Sequence, residues 1–341
     1  MITILIKGDN MIDYINLTLS TDCNYNCWFC YLTKEARESK TVFSDWIGLR
    51  EFLTRIDLAD RVNINFVTGD LTTNHPDLIL KAIKEICKIE RVKPVRLTFS
   101  YVTNGQNYTL TKSLIEDGFI DGLHTGLSYD GDNTPLSGHN CAEAVKTIGN
   151  MVGSVNTVLT IQTMKYIDST LQLMLDNNVT SWSYYLLLDY DIYSNPEFLK
   201  LFKTKFLSTV LKAYNNGLKV YNIEEFKKSC KMTTKHLWCK DNNFIINVDG
   251  SISPCGVEMP YCRFNPNPLP SPLGLSCTNE ELMDYLSNHI HACHEQNVCD
   301  YTHCQASQCV ECSGIAKVRK NKFQACMLRS IEYDFYSSQL R

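Results

Sequence analysis

From Tyr14 to about Asn215 the chain alternates short apolar or every-other-residue runs with stretches of helical period. The pattern predicts strands at Tyr14–Leu19, Val62–Val67, Arg96–Val102, Gly122–Ser128, Val155–Met164 and Trp182–Leu188. Helices are predicted between them at Asp45–Leu58, Pro76–Ile89, Thr109–Asp117, Cys141–Val152, Ser169–Asn177 and Pro196–Asn215. Strands that alternate with helices are joined by right-handed crossovers and lie parallel. The expected fold is therefore α/β, a partial (β/α)6 TIM-like barrel, with its site at the loops that follow the strands.

Past residue 216 the alternation stops, and a proline-rich segment from Pro254 to Gly274 cannot build regular helix or internal sheet. The chain thus divides into an expected barrel core, residues 1–215, and a cysteine-rich C-terminal domain, residues 216–341. Poor periodicity and many cysteines suggest that metal, rather than a large apolar core, organises the second part.

Composition narrows the function. The 341 residues are 44% hydrophobic and carry a formal net charge of −4, with a pI near 6.1. No basic field is present to hold a phosphate backbone, so nucleic acid is not the expected partner. The N-terminal segment is broken by Lys7, Asp9 and Asp13, and no later run is apolar for the roughly 18–20 residues that cross a bilayer. A cytoplasmic protein with no membrane partner is expected. In that reducing compartment the 16 cysteines point to metal binding or thiol chemistry rather than to disulfides. They cluster at Cys23, Cys27 and Cys30 and again between Cys230 and Cys326, with Cys87 and Cys141 apart and without an expected role.

Cys23, Cys27 and Cys30 form a CxxxCxxC loop directly after the first predicted strand. Three thiolates in one loop can each take one iron of a cubane and leave the fourth iron open. A zinc loop is the alternative, but it would want a fourth ligand nearby, and residues 31–74 hold no Cys or His. Phe29 stands just before the third cysteine. Thr68-Gly69-Asp70, Thr103-Asn104-Gly105 and Ser128–Gly131 follow the second, third and fourth strands.

These residues resemble the radical S-adenosylmethionine (SAM) superfamily over about residues 12–215. The resemblance implies a [4Fe–4S] cluster on Cys23, Cys27 and Cys30, whose open iron chelates S-adenosylmethionine, and it places Phe29 near the adenine. It assigns Thr68, Gly69 and Asp70 to the methionyl amino group, although this chain has Thr-Gly-Asp where the family usually has Gly-Gly-Glu. Thr103, Asn104, Ser128 and Asp130 are implied as lining the ribose and methionyl pocket, with Ser128 on the ribose. Gln162 is read as either a cofactor contact or an inward polar group of the fifth strand.

Beyond residue 239 the segment FIINVDGSISPC reads as a hairpin with its turn at Asp249-Gly250, flanked by Cys239 and Cys255, and Cys309 and Cys312 form a CxxC. This is similar to the SPASM and twitch extensions of the superfamily, which hold auxiliary [4Fe–4S] clusters. One such cluster is expected on Cys239, Cys255, Cys309 and Cys312. Cys299, Cys304 and Cys326, joined by Cys262, Cys277 or Cys293, are candidates for a second. A structural zinc module is the alternative, with His289, His291, His294 and His303 among the cysteines.

The chemistry the resemblance implies is reductive cleavage of S-adenosylmethionine to a 5′-deoxyadenosyl radical that abstracts hydrogen from a substrate. A ribosomally made peptide is the first expectation, and a small molecule such as a sugar, dehydrogenated or epimerised, the second. A metal-stabilised binding or electron-carrier protein is the reading outside enzymology. An electron donor such as flavodoxin or ferredoxin is implied. Only a short segment precedes the first strand, so any leader peptide would be bound by a separate protein or by the C-terminal region. Glu258, Asp189 and Asp191 are candidate general bases or, alternatively, solvated loop acids. Trp182, Tyr184, Tyr185 and Trp238 are expected in the core.

Overall fold

The computed structural model describes residues 11–67, 69–131, 141–186, 195–231, 243–254, 259–262, 273–295 and 322–340. Its strands are β1 (Ile12–Thr18), β2 (Leu58–Val67), β3 (Arg96–Thr103), β4 (Gly126–Ser128), β5 (Ser154–Leu159), β6 (Ser181–Leu186), β7 (Lys219–Val220), β8 (Asn243–Ile246), β9 (Ser251–Ser253) and β10 (Leu273–Gly274). The chain forms two compact units. One comprises Met1–Asp22, Leu32–Tyr101 and Cys239–Gln296; the other comprises Cys23–Tyr31, Val102–Trp238 and Asn297–Arg341.

In the first unit the strand order is β10-β9-β8-β1-β2-β3. β8, β1, β2 and β3 run parallel, and β9 and β10 are antiparallel additions. Alternation explains the faces: Ile15, Leu17, Ile64, Phe66 and Phe99 are buried toward the helices, while Asn16, Asn63, Asn65, Thr98 and Ser100 point the other way. Helix Trp46–Arg55 starts where the Asp45 carboxylate accepts from Gly48 N at 2.9 Å. Beyond its other end, Lys93 Nζ donates to the carbonyls of Leu53, Thr54 and Ile56, which the helix leaves without intrahelical donors. Helix Pro76–Ile86 buries Ile79, Ala82, Ile83 and Ile86 along one stripe.

The second unit carries β4, β5, β6 and β7 in parallel, with Val102 and Thr103 of β3 pairing to β4. Its core gathers Leu127, Val155, Leu159, Trp182 and Tyr184 from the strands with Phe198, Phe202, Phe206 and Val210 from the helices.

The α/β class with parallel strands is the one expected, while several boundaries differ for local reasons. The predicted strand Gly122–Ser128 is a 3₁₀ turn, Gly122–His124, capped by Asp121, followed by the short β4. The predicted strand Val155–Met164 stops at Leu159 because Thr160 and Thr163 form a reciprocal capping box that opens helix Ile161–Lys165. Gln162 therefore lies on a helix and not on the fifth strand. The long helix Pro196–Asn215 contains a π-helical segment, Phe202–Phe206, along which Phe198, Phe202 and Phe206 stack at centroid spacings of 6.2 and 5.4 Å. The predicted hairpin is present as β8 and β9, with Gly250 at φ +82° in its turn, and it extends the first unit's sheet beside β1.

Candidate cofactor site

Both sequence neighbours of the cysteine loop are fixed within the first unit. Asp22, the residue before Cys23, is 5% exposed, and its carboxylate lies 3.0 Å from Lys40 Nζ and 3.3 Å from His75 Nε2. Its carbonyl accepts from Asp70 N at 3.1 Å. This backbone tie explains the glycine of Thr68-Gly69-Asp70. Gly69 has φ +62°, and a Cβ there would stand 2.3 Å from the Asp22 carbonyl oxygen. Asp70, 1% exposed, spends Oδ1 on the helix Leu71–Asn74: it accepts from Thr72 N at 3.0 Å, Thr72 Oγ1 at 2.6 Å and Thr73 N at 3.3 Å. The expected cofactor contact is thus also a helix cap. Thr68 lies outside the described residues.

The cysteine loop itself belongs to the second unit. Cys27 is buried and Cys23 and Cys30 are half-buried, and Cys30 N donates to Cys27 O at 3.1 Å. The loop is braced by the turn after β3. Asn104 Nδ2 donates to Asn24 Oδ1 at 2.8 Å, and Tyr25 OH donates to Gln106 Oε1 at 2.5 Å. That turn holds itself through Thr103 Oγ1, which accepts from Gly105 N at 3.1 Å, and Asn104 Oδ1, which accepts from Gln106 N at 3.0 Å. Phe29 packs against the second unit's core and meets Trp28 edge-on at 5.6 Å.

Ser128 ends β4. Asp130 is 1% exposed and uses Oδ1 to accept from Val158 N at 2.8 Å, while Gly131 at φ +95° would bring a Cβ to 2.8 Å from Thr170 Oγ1. Ser128, Asn156 and Ser183 stand in register on the face of the sheet opposite Trp182 and Tyr184, with Tyr185 beyond them. Trp182 and Tyr184 are core residues as expected, but Tyr185 is 54% exposed, which corrects its expected place. The reason is strand alternation: neighbours on β6 must face opposite ways. Trp238 lies outside the described residues.

Sequence reasoning missed a polar row on one face of the first unit's sheet. Asn16 Nδ2 donates to Asn243 Oδ1 at 3.1 Å, Asn65 Nδ2 to Asn16 Oδ1 at 3.0 Å, Ser100 Oγ to Asn63 Oδ1 at 2.8 Å, and Asn63 Nδ2 to Thr98 Oγ1 at 3.1 Å. Buried amides are kept only where they are hydrogen-bonded. The available signal was the alternation of amides and hydroxyls with apolar residues inside three predicted strands.

Cys239, Cys255, Glu258, Asp189, Asp191, Cys299, Cys304, His303, Cys309 and Cys312 lie outside the described residues. So do the side chains of Cys293 and Cys326 and of His289, His291 and His294, whose helices are described. Cys262 and Cys277 are buried. Burial, and then nearby Glu90, push the Cys87 thiol up, an environment that keeps it protonated. Cys141 precedes helix Ala142–Ile148 and packs on the core.

Among the described residues no three of His, Cys, Asp and Glu are arranged to hold a metal ion. The donor chemistry of the loop fits a cubane, in which each thiolate takes its own iron. No helix among the described residues is long and apolar enough to cross a membrane.

The chain shares its fold, parallel strands alternating with helices, with several solved structures. Among solved structures the chain is similar to anSMEcpe with bound AdoMet, with a TM-score of 0.67 and 16% identity over 96% of this chain and 97% of that one. A structure of anSMEcpe with AdoMet and the Cp18Cys peptide gives 0.66 and 15% over 96% and 97%. SuiB of Streptococcus suis bound to precursor peptide SuiA gives 0.56 and 12% over 91% of this chain and 71% of that one. No family model and no curated protein matches the sequence.

Proposed function

We propose that the chain is a radical SAM enzyme that modifies a ribosomally made peptide by crosslinking, oxidation or epimerisation. The observation that carries the reading is the CxxxCxxC loop of Cys23, Cys27 and Cys30 after β1, braced by Asn104 and Gln106, in a chain with this fold. Cys23, Cys27 and Cys30 would hold a [4Fe–4S] cluster, and Phe29, Gly69, Asp70, Ser128 and Gln162 are the proposed contacts of S-adenosylmethionine. When bound, these groups supply a one-electron cleavage that yields a carbon-centred radical. The chain's own part is to orient the cofactor and to exclude water and stray hydrogen donors.

Peptide substrates are favoured because anSMEcpe and SuiB are described with bound peptides. Auxiliary clusters on Cys239, Cys255, Cys309 and Cys312, with Cys299, Cys304 and Cys326 as further ligands, belong to the same proposal. So do a general base at Glu258 or Asp189 and an electron donor of the flavodoxin or ferredoxin type.

The test is anaerobic reconstitution followed by dithionite and S-adenosylmethionine. The wild type is expected to release 5′-deoxyadenosine, and the Cys23→Ala/Cys27→Ala/Cys30→Ala variant to release none and to carry fewer irons and sulfides per chain. Zinc in the loop, or a cubane whose spectrum ignores S-adenosylmethionine, would overturn the reading.

A further inference from the structure

The helix Lys322–Gln339 lays Leu328, Glu332 and Tyr336 along one stripe, and all three are buried. Leu328 and Tyr336 join the second unit's core, so the stripe that faces this core carries a carboxylate in its middle. Acids are rarely buried unless the fold engages the charge.

Here the partner is Tyr184 of β6, itself 2% exposed. Its hydroxyl donates to Glu332 Oε1 and lies 3.2 Å from the hydroxyl of Tyr336. Asn222 fixes the Tyr184 backbone: Tyr184 N donates to Asn222 Oδ1, and Asn222 Nδ2 donates to Tyr184 O, both at 3.1 Å. All of these residues belong to the second unit. For packing alone, an apolar pair at positions 184 and 332 would fill the same space without desolvating a charge.

Burial, and then the neighbouring Glu332 charge, hold the Tyr184 phenol well above the usual tyrosine range, so it does not ionise at working pH. Removal of one electron reverses that preference, because an oxidised phenol is a strong acid. Its proton then has an acceptor already in hydrogen-bond contact, Glu332 Oε1. The site ends as a neutral phenoxyl beside a neutral carboxylic acid. Oxidation here removes a buried charge, whereas a tyrosine buried without a base would be left as a cation in low dielectric. The Tyr336 hydroxyl is placed to hydrogen-bond the phenoxyl oxygen.

We propose that Tyr184 is a one-electron redox site: an oxidant of the strength of photogenerated tris(bipyridine)ruthenium(III) takes one electron from the ring, the O–H bond breaks, and the proton passes to Glu332. The oxidant is reduced by that electron, and Tyr184 becomes a phenoxyl radical. The inference uses none of the proposed cofactor contacts and stands without them.

The test illuminates the full-length protein, without oxygen, in the presence of tris(bipyridine)ruthenium(II) and a cobalt(III) ammine as electron acceptor, then freezes it. Electron paramagnetic resonance is read at liquid-nitrogen temperature, where iron–sulfur signals are broadened away. The wild type is expected to hold a long-lived tyrosyl signal, and Tyr184→Phe to lose most of it. Glu332→Gln keeps an acceptor oxygen but takes up no proton, and is expected to lower the signal several-fold, with thermal melts separating this from misfolding. A signal of wild-type size and lifetime in either folded variant overturns the proposal.

A second measurement needs no variant. Electron–nuclear double resonance of the wild-type radical is compared in ordinary and fully exchanged heavy water. Tyr184 is expected to show exchangeable couplings from both hydrogen-bond partners, Glu332 and Tyr336, and a single set of β-methylene couplings from a ring locked in the core. A spread of β-methylene couplings, the mark of mobile surface tyrosines, overturns it.

Discussion

At the scale of single residues, several side chains near the cysteine loop have two duties. Asp70 is read as a cofactor contact, yet its Oδ1 caps a helix; Asn104 is read as pocket lining, yet its amide braces Asn24. Gly69 gives the sharpest prediction. Replacing it with alanine adds a Cβ against the Asp22 carbonyl at a positive φ, which costs at least about 1–2 kcal/mol from conformation alone. Gly69→Ala is therefore expected to lower the urea midpoint and, because Asp22 adjoins Cys23, to reduce iron uptake on reconstitution. Wild-type values for both would show that the backbone relaxes freely there.

At the scale of elements, the ends matter more than the middles. Helix Asn279–Glu295 opens with a Thr278–Glu281 box: Glu281 Oε2 accepts from Thr278 N at 2.8 Å and from Thr278 Oγ1 at 3.1 Å, and Thr278 Oγ1 accepts from Glu281 N at 3.2 Å. The Thr278 N–H, and then its hydroxyl, hold the Glu281 carboxyl below the usual glutamate range. The folded state thus binds this proton less readily than the unfolded chain does. The stabilisation is present above the ordinary glutamate pKa and is lost as pH falls through the lowered one. Amide exchange at Leu282, whose N donates to Thr278 O, is expected to accelerate across that acid window in the wild type and to stay level in Glu281→Gln. The capping box at Thr160 and Thr163 is the same device, and there it converts the end of an expected strand into a helix.

At the scale of the whole molecule, each unit buries its own apolar face. In the second unit Phe206 meets Tyr184 edge-on at 5.0 Å and Phe202 at 5.4 Å, and is fully buried. Phe206→Ala should destabilise the protein by about 3–5 kcal/mol, the usual cost of emptying an aromatic core position. Urea unfolding followed by tryptophan fluorescence reads this directly, since Trp182 lies 6.3 Å from the ring of Phe206.

Hydrophobic periodicity carried the class of fold because burial of one strand face and one helix stripe is a local property of the chain. The place of the three cysteines after the first strand was likewise legible, since it is written in consecutive residues. Periodicity could not place the end of β5, where a side-chain cap outweighed a β-rich run, nor the exposure of Tyr185, which depends on what covers each face of β6. The joining of Asn16 to Asn65 and Asn243, and of Tyr261 to Asn247, was equally out of its reach. Those pairs are far apart in sequence and meet only when strands adopt one register, so distance and direction, which only tertiary structure fixes, decided them.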